Sequence, residues 1–111
     1  MTVTIKVMIP AKIAEASQTT QYTVNVVKAI IDKFDATNFS TAAATISVNL
    51  VTFSGSPGNL NVMPKDKILQ AGETYTFPEI VGFALNAGDF ISTLASVASS
   101  INIRASGREI T

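Results

Sequence analysis

The side chains of this chain that could do chemistry are eight carboxylates, because the sequence contains no histidine and no cysteine. It therefore lacks the usual general base near neutral pH, the usual nitrogen and sulfur ligands for metals, and any Ser-His or Cys-His pair. The closest carboxylates are Asp32 and Asp35. In a strand, a spacing of three residues points two side chains to opposite faces, which argues against a shared acid-base dyad or calcium site.

The remaining acidic residues fall in predicted turns. Asp66 with Glu73, or Asp89 beside Gly88, would bind calcium only if their loops converged, and no Asp-x-Asp-x-Asp spacing supports such a site. The loop 54–59 lacks the Gly-Lys-Ser/Thr of a phosphate-binding loop. We therefore predict no catalytic, cofactor-binding or metal-binding residue, and we expect a protein that is not an enzyme.

Composition narrows the class of protein further. Eight basic and eight acidic residues balance to a net charge of zero, whereas nucleic-acid binders normally carry a basic stripe, so we predict no nucleic-acid partner. The apolar runs are far shorter than the roughly 20 residues that cross a bilayer, so we predict no membrane partner. The N-terminal residues alternate polar and apolar and do not resemble a signal peptide, so we expect synthesis in a cytoplasm.

Polar and apolar residues alternate along much of the chain, which is the period of half-buried strands. In residues 2–9, Val3, Ile5, Val7 and Ile9 should share one face, and Pro10 should end the strand. Residues 11–16 should form a connector, and 78–85 one helical turn that begins at Pro78. In the strand after Ala44, Ile46, Val48 and Leu50 should face the core, while the polar residues between them face water or a neighbouring strand. The predicted strands are 2–9, 21–27, 29–37, 45–53, 60–63 (an edge), 74–77, 89–95 and 101–105. Ile30, Ile31 and Phe34 are also at helical spacing, but the β-branched pair and the polar residues that follow favour a strand for 29–37.

These strands, separated by turn signals, predict an all-β fold. We expect one domain, residues 1–111, built as a small jelly-roll-like or Greek-key β-sandwich of about seven or eight short strands. It should contain at most one short helical turn, near 78–85, and residues 1–16 should form an N-terminal strand or arm. Apolar residues make up 47% of the chain, which is too many for an open sheet with one wet face.

Apolar residues beside polar turns are the candidate contact points for a partner. They either anchor a partner or cap the ends of the core. The N-terminal strand either pairs with a sheet edge of another chain or closes the domain's own sheet. The candidate interface residues are Val3, Ile5, Val7, Phe39, Phe53, Leu60, Met63 and Phe83.

A family resemblance adds what the residue chemistry does not supply. The segments VVKAIIDKFDATNFSTAAATISVNLV, AGETYTFPEIVGFAL and NAGDFISTLASVASSINIRASGREI resemble small structural proteins of phage heads and tails. The resemblance covers roughly residues 20–111, and its most specific part is the succession Gly72-Glu73-Thr74, Gly88-Asp89 and Ser106-Gly107. The chain is most similar to the capsid decoration (cement or staple) proteins of short-tailed double-stranded DNA phages of the epsilon-fifteen type.

That resemblance implies a structural virion protein on the outer surface of an icosahedral head. It would bind the major capsid protein, often as a homodimer, and staple neighbouring capsid subunits so that the shell is stabilised. One alternative is a β-domain of a phage tail, collar or head-tail connector, since the shared motifs are turn motifs. A second is a carbohydrate-binding β-sandwich, which is disfavoured because only Tyr22 and Tyr75 could stack on a sugar with a polar tip.

Overall fold

A computed structural model describes all of residues 1–111 and contains nine strands and no helix. The expected all-β fold is therefore confirmed. No helix is present that has the length and apolar character to cross a membrane. The strands are β1 (Val3–Ile13), β2 (Thr19–Thr23), β3 (Lys28–Asn38), β4 (Ala44–Val51), β5 (Lys67–Leu69), β6 (Thr74–Thr76), β7 (Ala84–Asn86), β8 (Phe90–Ala95) and β9 (Ile101–Ile110).

The strands form two antiparallel sheets that pack face to face. The long sheet has the order β1-β9-β3-β6, with β7 also pairing with β3, and the short sheet has the order β2-β8-β4-β5. Because β6 and β7 pair with opposite halves of β3, they act as one interrupted strand. With β6 and β7 taken together, the eight strands have the order of a jelly roll.

The core lies between the two sheets and draws on nearly every strand. Phe34 and Ile31 of β3 pack from the long sheet, and Ile46 and Val48 of β4 pack from the short sheet, as predicted for β4. The rings of Phe34 and Phe77 meet edge to face with centroids 4.8 Å apart, a favoured aromatic geometry. No disulfide supports this packing, so burial and hydrogen bonding stabilise the fold.

The segment between β6 and β7 differs from the helical turn expected near 78–85. Residues 78–82 form a hydrogen-bonded turn, and residues 84–86 are the strand β7. The turn is held against β3, because the amide of Phe77 donates to the carbonyl of Phe34 (3.0 Å) and that of Gly82 to Ile31 (2.7 Å). The insertion carries Phe77 and Ile80, both fully buried, into the core. Burial of these two side chains, rather than helix propensity, determines its shape.

Two strands of the long sheet are irregular at the same level, opposite residues 105–107 of β9. The register shifts between Val7 and Ile9 in β1 and between Ile31 and Lys33 in β3. Such bulges break the two-residue alternation. Met8 and Ile9 are therefore both buried, and the prediction that Ile9 shares a face with Val7 is wrong.

The N-terminal strand is also longer than predicted. Strand β1 continues through Pro10 to Ile13, so only residues 14–18 connect it to β2. Pro10 is tolerated because β1 is an edge strand, whose outward-facing amides need no partner in the sheet.

The outer face of the short sheet is covered where β4 crosses it. Ser47 and Asn49 are buried, although the sequence suggested that they face water or a neighbouring strand. The loop that follows β4 folds back over them, and it pairs there through a single bridge between Asn49 and Val62. The predicted edge strand 60–63 is therefore a bridge within a loop, not a strand of its own.

We predict that Gly107→Ala lowers the free energy of unfolding by about 1–3 kcal/mol, the usual cost of overpacking. A Cβ at Gly107 would collide with the carbonyl oxygen of Ile30 and with the end of the Met8 side chain. Gly58→Ala is the control, because nothing lies within 4 Å of its Cβ position. Urea unfolding of the two variants measures the difference. Equal stabilities would contradict the close approach of strands at Gly107.

The two sheets are also tied by a hydrogen bond from the hydroxyl of Tyr22 in β2 to the carboxylate of Glu109 in β9. Burial of Tyr22, and secondarily this bond to Glu109, raise its pKa above the usual range of tyrosine. The folded state thus retains the phenolic proton more strongly than the unfolded chain. The resulting stabilisation is present below about pH 10 and is lost as the pH rises further.

We predict that Tyr22→Phe reduces the loss of stability between about pH 9 and 11, because the replacement has no proton to lose. At neutral pH the variant should be less stable by about 0.5–1.5 kcal/mol, since one hydrogen bond is gone. Urea unfolding across this pH range measures both effects. If Tyr22→Phe and the parent protein lose the same stability at alkaline pH, the Tyr22 hydroxyl is not the titrating group.

Candidate protein-interaction surfaces

The candidate interface residues from the sequence fall on three separate surfaces. Val3, Ile5 and Val7 form a row on β1, which we call the β1 row. Leu60, Met63 and Phe83 line a groove beside Phe53, which we call the loop groove. Phe39 lies apart from these two surfaces. It is in the loop 39–43, which follows the end of β3, whereas the β1 row and the loop groove lie near the beginning of β3.

The β1 row is exposed on the outer face of the long sheet. Its side chains are 54%, 87% and 62% exposed at Val3, Ile5 and Val7. The opposite face of the same segment carries Thr4, whose partner across the ladder is Glu109. Since Glu109 bonds Tyr22 of the short sheet, that face points inward and the aliphatic row points outward. An exposed aliphatic row on an edge strand is a candidate contact surface.

The loop groove lies between the loop after β4 and the start of β7. It has a volume of about 450 Å³ and a mostly apolar lining. Leu60 is 99% exposed at its rim, and Phe83 and Met63 are 46% and 38% exposed. Phe53, 67% exposed, lies next to the groove against Gly88. A groove with this lining offers a pocket for an apolar side chain of a partner.

Two asparagines hold the groove's loop in place. Asn49, buried on β4, donates from Nδ2 to Oδ1 of Asn61 (2.7 Å) and to the carbonyl of Gly58 (3.2 Å). Asn61 in turn accepts from the amide of Gly58 (3.1 Å) and donates to the carbonyl of Ser56 (3.0 Å). A loop fixed by its own hydrogen bonds loses little conformational entropy when it binds. The sequence reveals this loop only as a polar turn, because the contact between Asn49 and Asn61 forms only when the chain folds back.

Asp89 fixes the other wall of the groove. This buried carboxylate accepts from the amide of Phe53 (3.0 Å) through Oδ1 and from the amide of Asn86 (2.8 Å) through Oδ2. It therefore ties the loop that carries Phe53 to the turn between β7 and β8. Asp89, which the sequence offered as an improbable calcium ligand, is a positioning residue for this surface.

The two surfaces are connected across the long sheet. Ile5, Arg108, Ile30 and Ala84 are direct ladder partners in β1, β9, β3 and β7, so their side chains form one transverse row on the outer face. The row begins in the β1 row and ends at Ala84, which lines the loop groove. Both apolar surfaces therefore belong to one end of the sandwich, the end where β3 begins.

The structure places Asp32 and Asp35 on the same face of the long sheet, whereas the sequence predicted opposite faces. Asp32 makes a two-bond ion pair with Arg108 (3.0 and 2.9 Å), and Asp35 lies 3.7 Å from Lys33. Both are on the outer face, because the bulge in β3 cancels the expected alternation. No group of three or more acidic side chains that could hold a metal ion is present.

Phe39 is held at the opposite end of the domain by a buried polar cluster. Asn38 is fully buried and donates to the carbonyls of Ala42 (2.8 Å) and Leu69 (2.9 Å). Phe39 is 48% exposed beside this cluster.

The sequence missed other exposed apolar residues, because single aliphatic residues carry no positional signal. These are Met1, Ile13, Val27, Ile68, Val81 and Val97.

Comparison with known proteins supports the fold class. No family model and no curated protein matches the chain. A solved structure, reported as "Bacillus endospore appendages form a novel family of disulfide-linked pili", is similar with a TM-score of 0.60 and 12% sequence identity. The alignment covers 99% of this chain and 88% of the appendage chain. At this identity the similarity concerns the β-sandwich fold alone.

We predict that removing the Asp89 carboxylate loosens the loop groove. Asp89→Ala leaves two amides without their partner and should lower the free energy of unfolding by about 1–3 kcal/mol. Asp89→Asn should fall between Asp89→Ala and the parent, because its single carbonyl oxygen can accept from only one amide well. Urea unfolding ranks the three proteins. If the free energies of unfolding of both variants lie within about 0.5 kcal/mol of the parent value, Asp89 does not hold the loop.

Proposed function

We propose that the protein is a structural virion protein that binds the outer surface of a phage head and staples neighbouring capsid subunits. The observation that carries this proposal is the apolar end of the sandwich, where the β1 row and the loop groove are joined by one transverse row. The resemblance to capsid decoration proteins supplies the partner, the major capsid protein. The neutral charge suits a protein that is not attracted to packaged DNA.

The mechanism is thermodynamic linkage. A protein that binds the assembled shell but not its separated subunits stabilises the shell by about 2.7 kcal/mol per site at a hundredfold excess over its dissociation constant. The term repeats at every symmetric copy, so a modest affinity is sufficient. A groove held by its own hydrogen bonds favours this mode of action, since little ordering is required on binding.

We predict that Leu60→Asp weakens attachment to heads at least about tenfold, because it places a charge at the rim of an apolar groove. The measurement adds purified protein to heads that lack it and follows binding and the temperature of heat rupture. The parent protein should raise the rupture temperature, and Leu60→Asp should not raise it at equal concentration.

Phe39→Ser is the control, since Phe39 is also an exposed apolar residue, 48% exposed against 99% for Leu60, but lies at the other end of the domain. It should protect heads as the parent does. Equal rupture temperatures with and without the parent protein would refute the capsid-stapling proposal. Attachment confined to a few copies at the neck or tail would favour the tail, collar or connector alternative instead.

A second candidate function is a subunit of a protein filament. It is favoured by the similarity in fold to the endospore appendage structure together with the free edge of β1. An edge that pairs with a different edge of the next copy generates an open fibre. Disulfide links, named for the appendage family, are not available to this chain because it has no cysteine. Fibres of the purified protein in electron micrographs would favour this candidate.

A further inference from the structure

The edge of β1 at residues 3–7 is the longest regular stretch of unpaired backbone in the molecule. We propose that this segment pairs antiparallel with the same segment of a second copy, about a two-fold axis through Ile5. The result is one continuous sheet that runs through both copies. The inference does not depend on the proposed function, since it rests on backbone geometry alone.

The pattern of hydrogen bonds shows which groups are free. Thr2 and Thr111 exchange two backbone hydrogen bonds (3.3 and 3.0 Å), so they are a hydrogen-bonded pair of the β1–β9 ladder. Pairs alternate along an antiparallel ladder. Thr4 and Lys6 therefore also bond to β9, whereas the N–H and C=O groups of Val3, Ile5 and Val7 point away from it toward the open edge.

The other sheet edges are short or distorted, which is how proteins discourage pairing between copies. Strands β5, β6 and β7 have three residues each, and β2 has five with a register shift inside it. The second half of β1 carries Pro10 and two register shifts. Only the first half of β1 is a regular edge without such a device, apart from Lys6.

The position of Lys6 selects the register. An axis through Lys6 would place the two lysines opposite each other, which is unfavourable. An axis through Ile5 pairs Val3 with Val7 and Ile5 with itself, and it sets Lys6 against Thr4. This register uses the free N–H and C=O groups of all three aliphatic residues in six hydrogen bonds. An axis through Thr4 would form fewer than six such hydrogen bonds within residues 3–7.

The paired segments would present six aliphatic side chains on one face of the joined sheet, because residues opposite each other in a ladder share a face. Two paired segments of five residues bury less than the roughly 1,200 Å² of a standard interface, so the free dimer should be weak and dependent on concentration. The contact is isologous and closes on itself.

We predict that the cysteine variants Thr4→Cys and Lys6→Cys form a mixed disulfide with each other faster than either does with itself. In the Ile5 register these positions are a non-hydrogen-bonded pair with Cα atoms about 4.5 Å apart, which suits a disulfide. Two copies of the same variant hold their cysteines about 8 Å apart, which does not. The chain has no other cysteine, so mass spectrometry of the oxidised mixture reads the register directly.

Sedimentation up to about the millimolar range tests the contact without crosslinks. Ile5→Lys places two charges at the axis and should raise the dimer dissociation constant at least about tenfold. Val97→Lys, on a residue 49% exposed elsewhere, should leave it unchanged. A parent protein that stays monomeric, a dimer insensitive to Ile5→Lys, or faster self-crosslinking of Thr4→Cys would each overturn the proposal. Shell protection is a separate readout, so failure here is distinguishable from failure of the proposed function.

Discussion

The long sheet depends on the close approach of three strands at Gly107. Strand β9 lies between β1 and β3 along nearly its whole length, and both neighbours bulge at this level. Gly107 leaves room for the Ile30 carbonyl and the Met8 side chain, which a larger residue would exclude. On one side of this point the bulges turn Met8 and Ile9 into the core. On the other side Val3, Ile5 and Val7 stay on the outer face of the sheet. The fit of the strands at Gly107 therefore decides which apolar residues of β1 are buried and which are exposed.

The exposed end of the sandwich carries both the β1 row and the loop groove. Many of its exposed side chains are aliphatic or aromatic, interrupted by the Asp32–Arg108 ion pair. Three other polar residues serve as internal supports: Asn49 and Asn61 hold one wall of the loop groove, and Asp89 holds the other. Buried polar groups with their hydrogen bonds satisfied rigidify what surrounds them. The molecule thus presents an apolar surface on a frame that is held by internal hydrogen bonds.

The two proposals assign different partners to the two halves of this end. The loop groove would receive a side chain of a shell subunit, and the edge of β1 would receive a second copy. Because Ile30 and Ala84 connect them across the sheet, a pair of copies would present two grooves related by the same axis. Two weak attachments that act together raise the overall affinity without any new contact. That is a physical reason for a stapling protein to be paired.

The sequence by itself determined the class of fold, because two-residue alternation and turn residues report directly on strands and their ends. It also singled out apolar residues as candidate contact points, such as Leu60 beside its polar turn and Ile5 in its alternating strand. Tertiary structure decided the rest. The bulges beside Gly107, the strand through Pro10 and the insertion that buries Phe77 and Ile80 arise from contacts between distant strands. Alternation within one strand carries no information about the neighbour against which that strand must fit, and so the faces of Ile9 and Asp35 could be assigned only from the folded molecule.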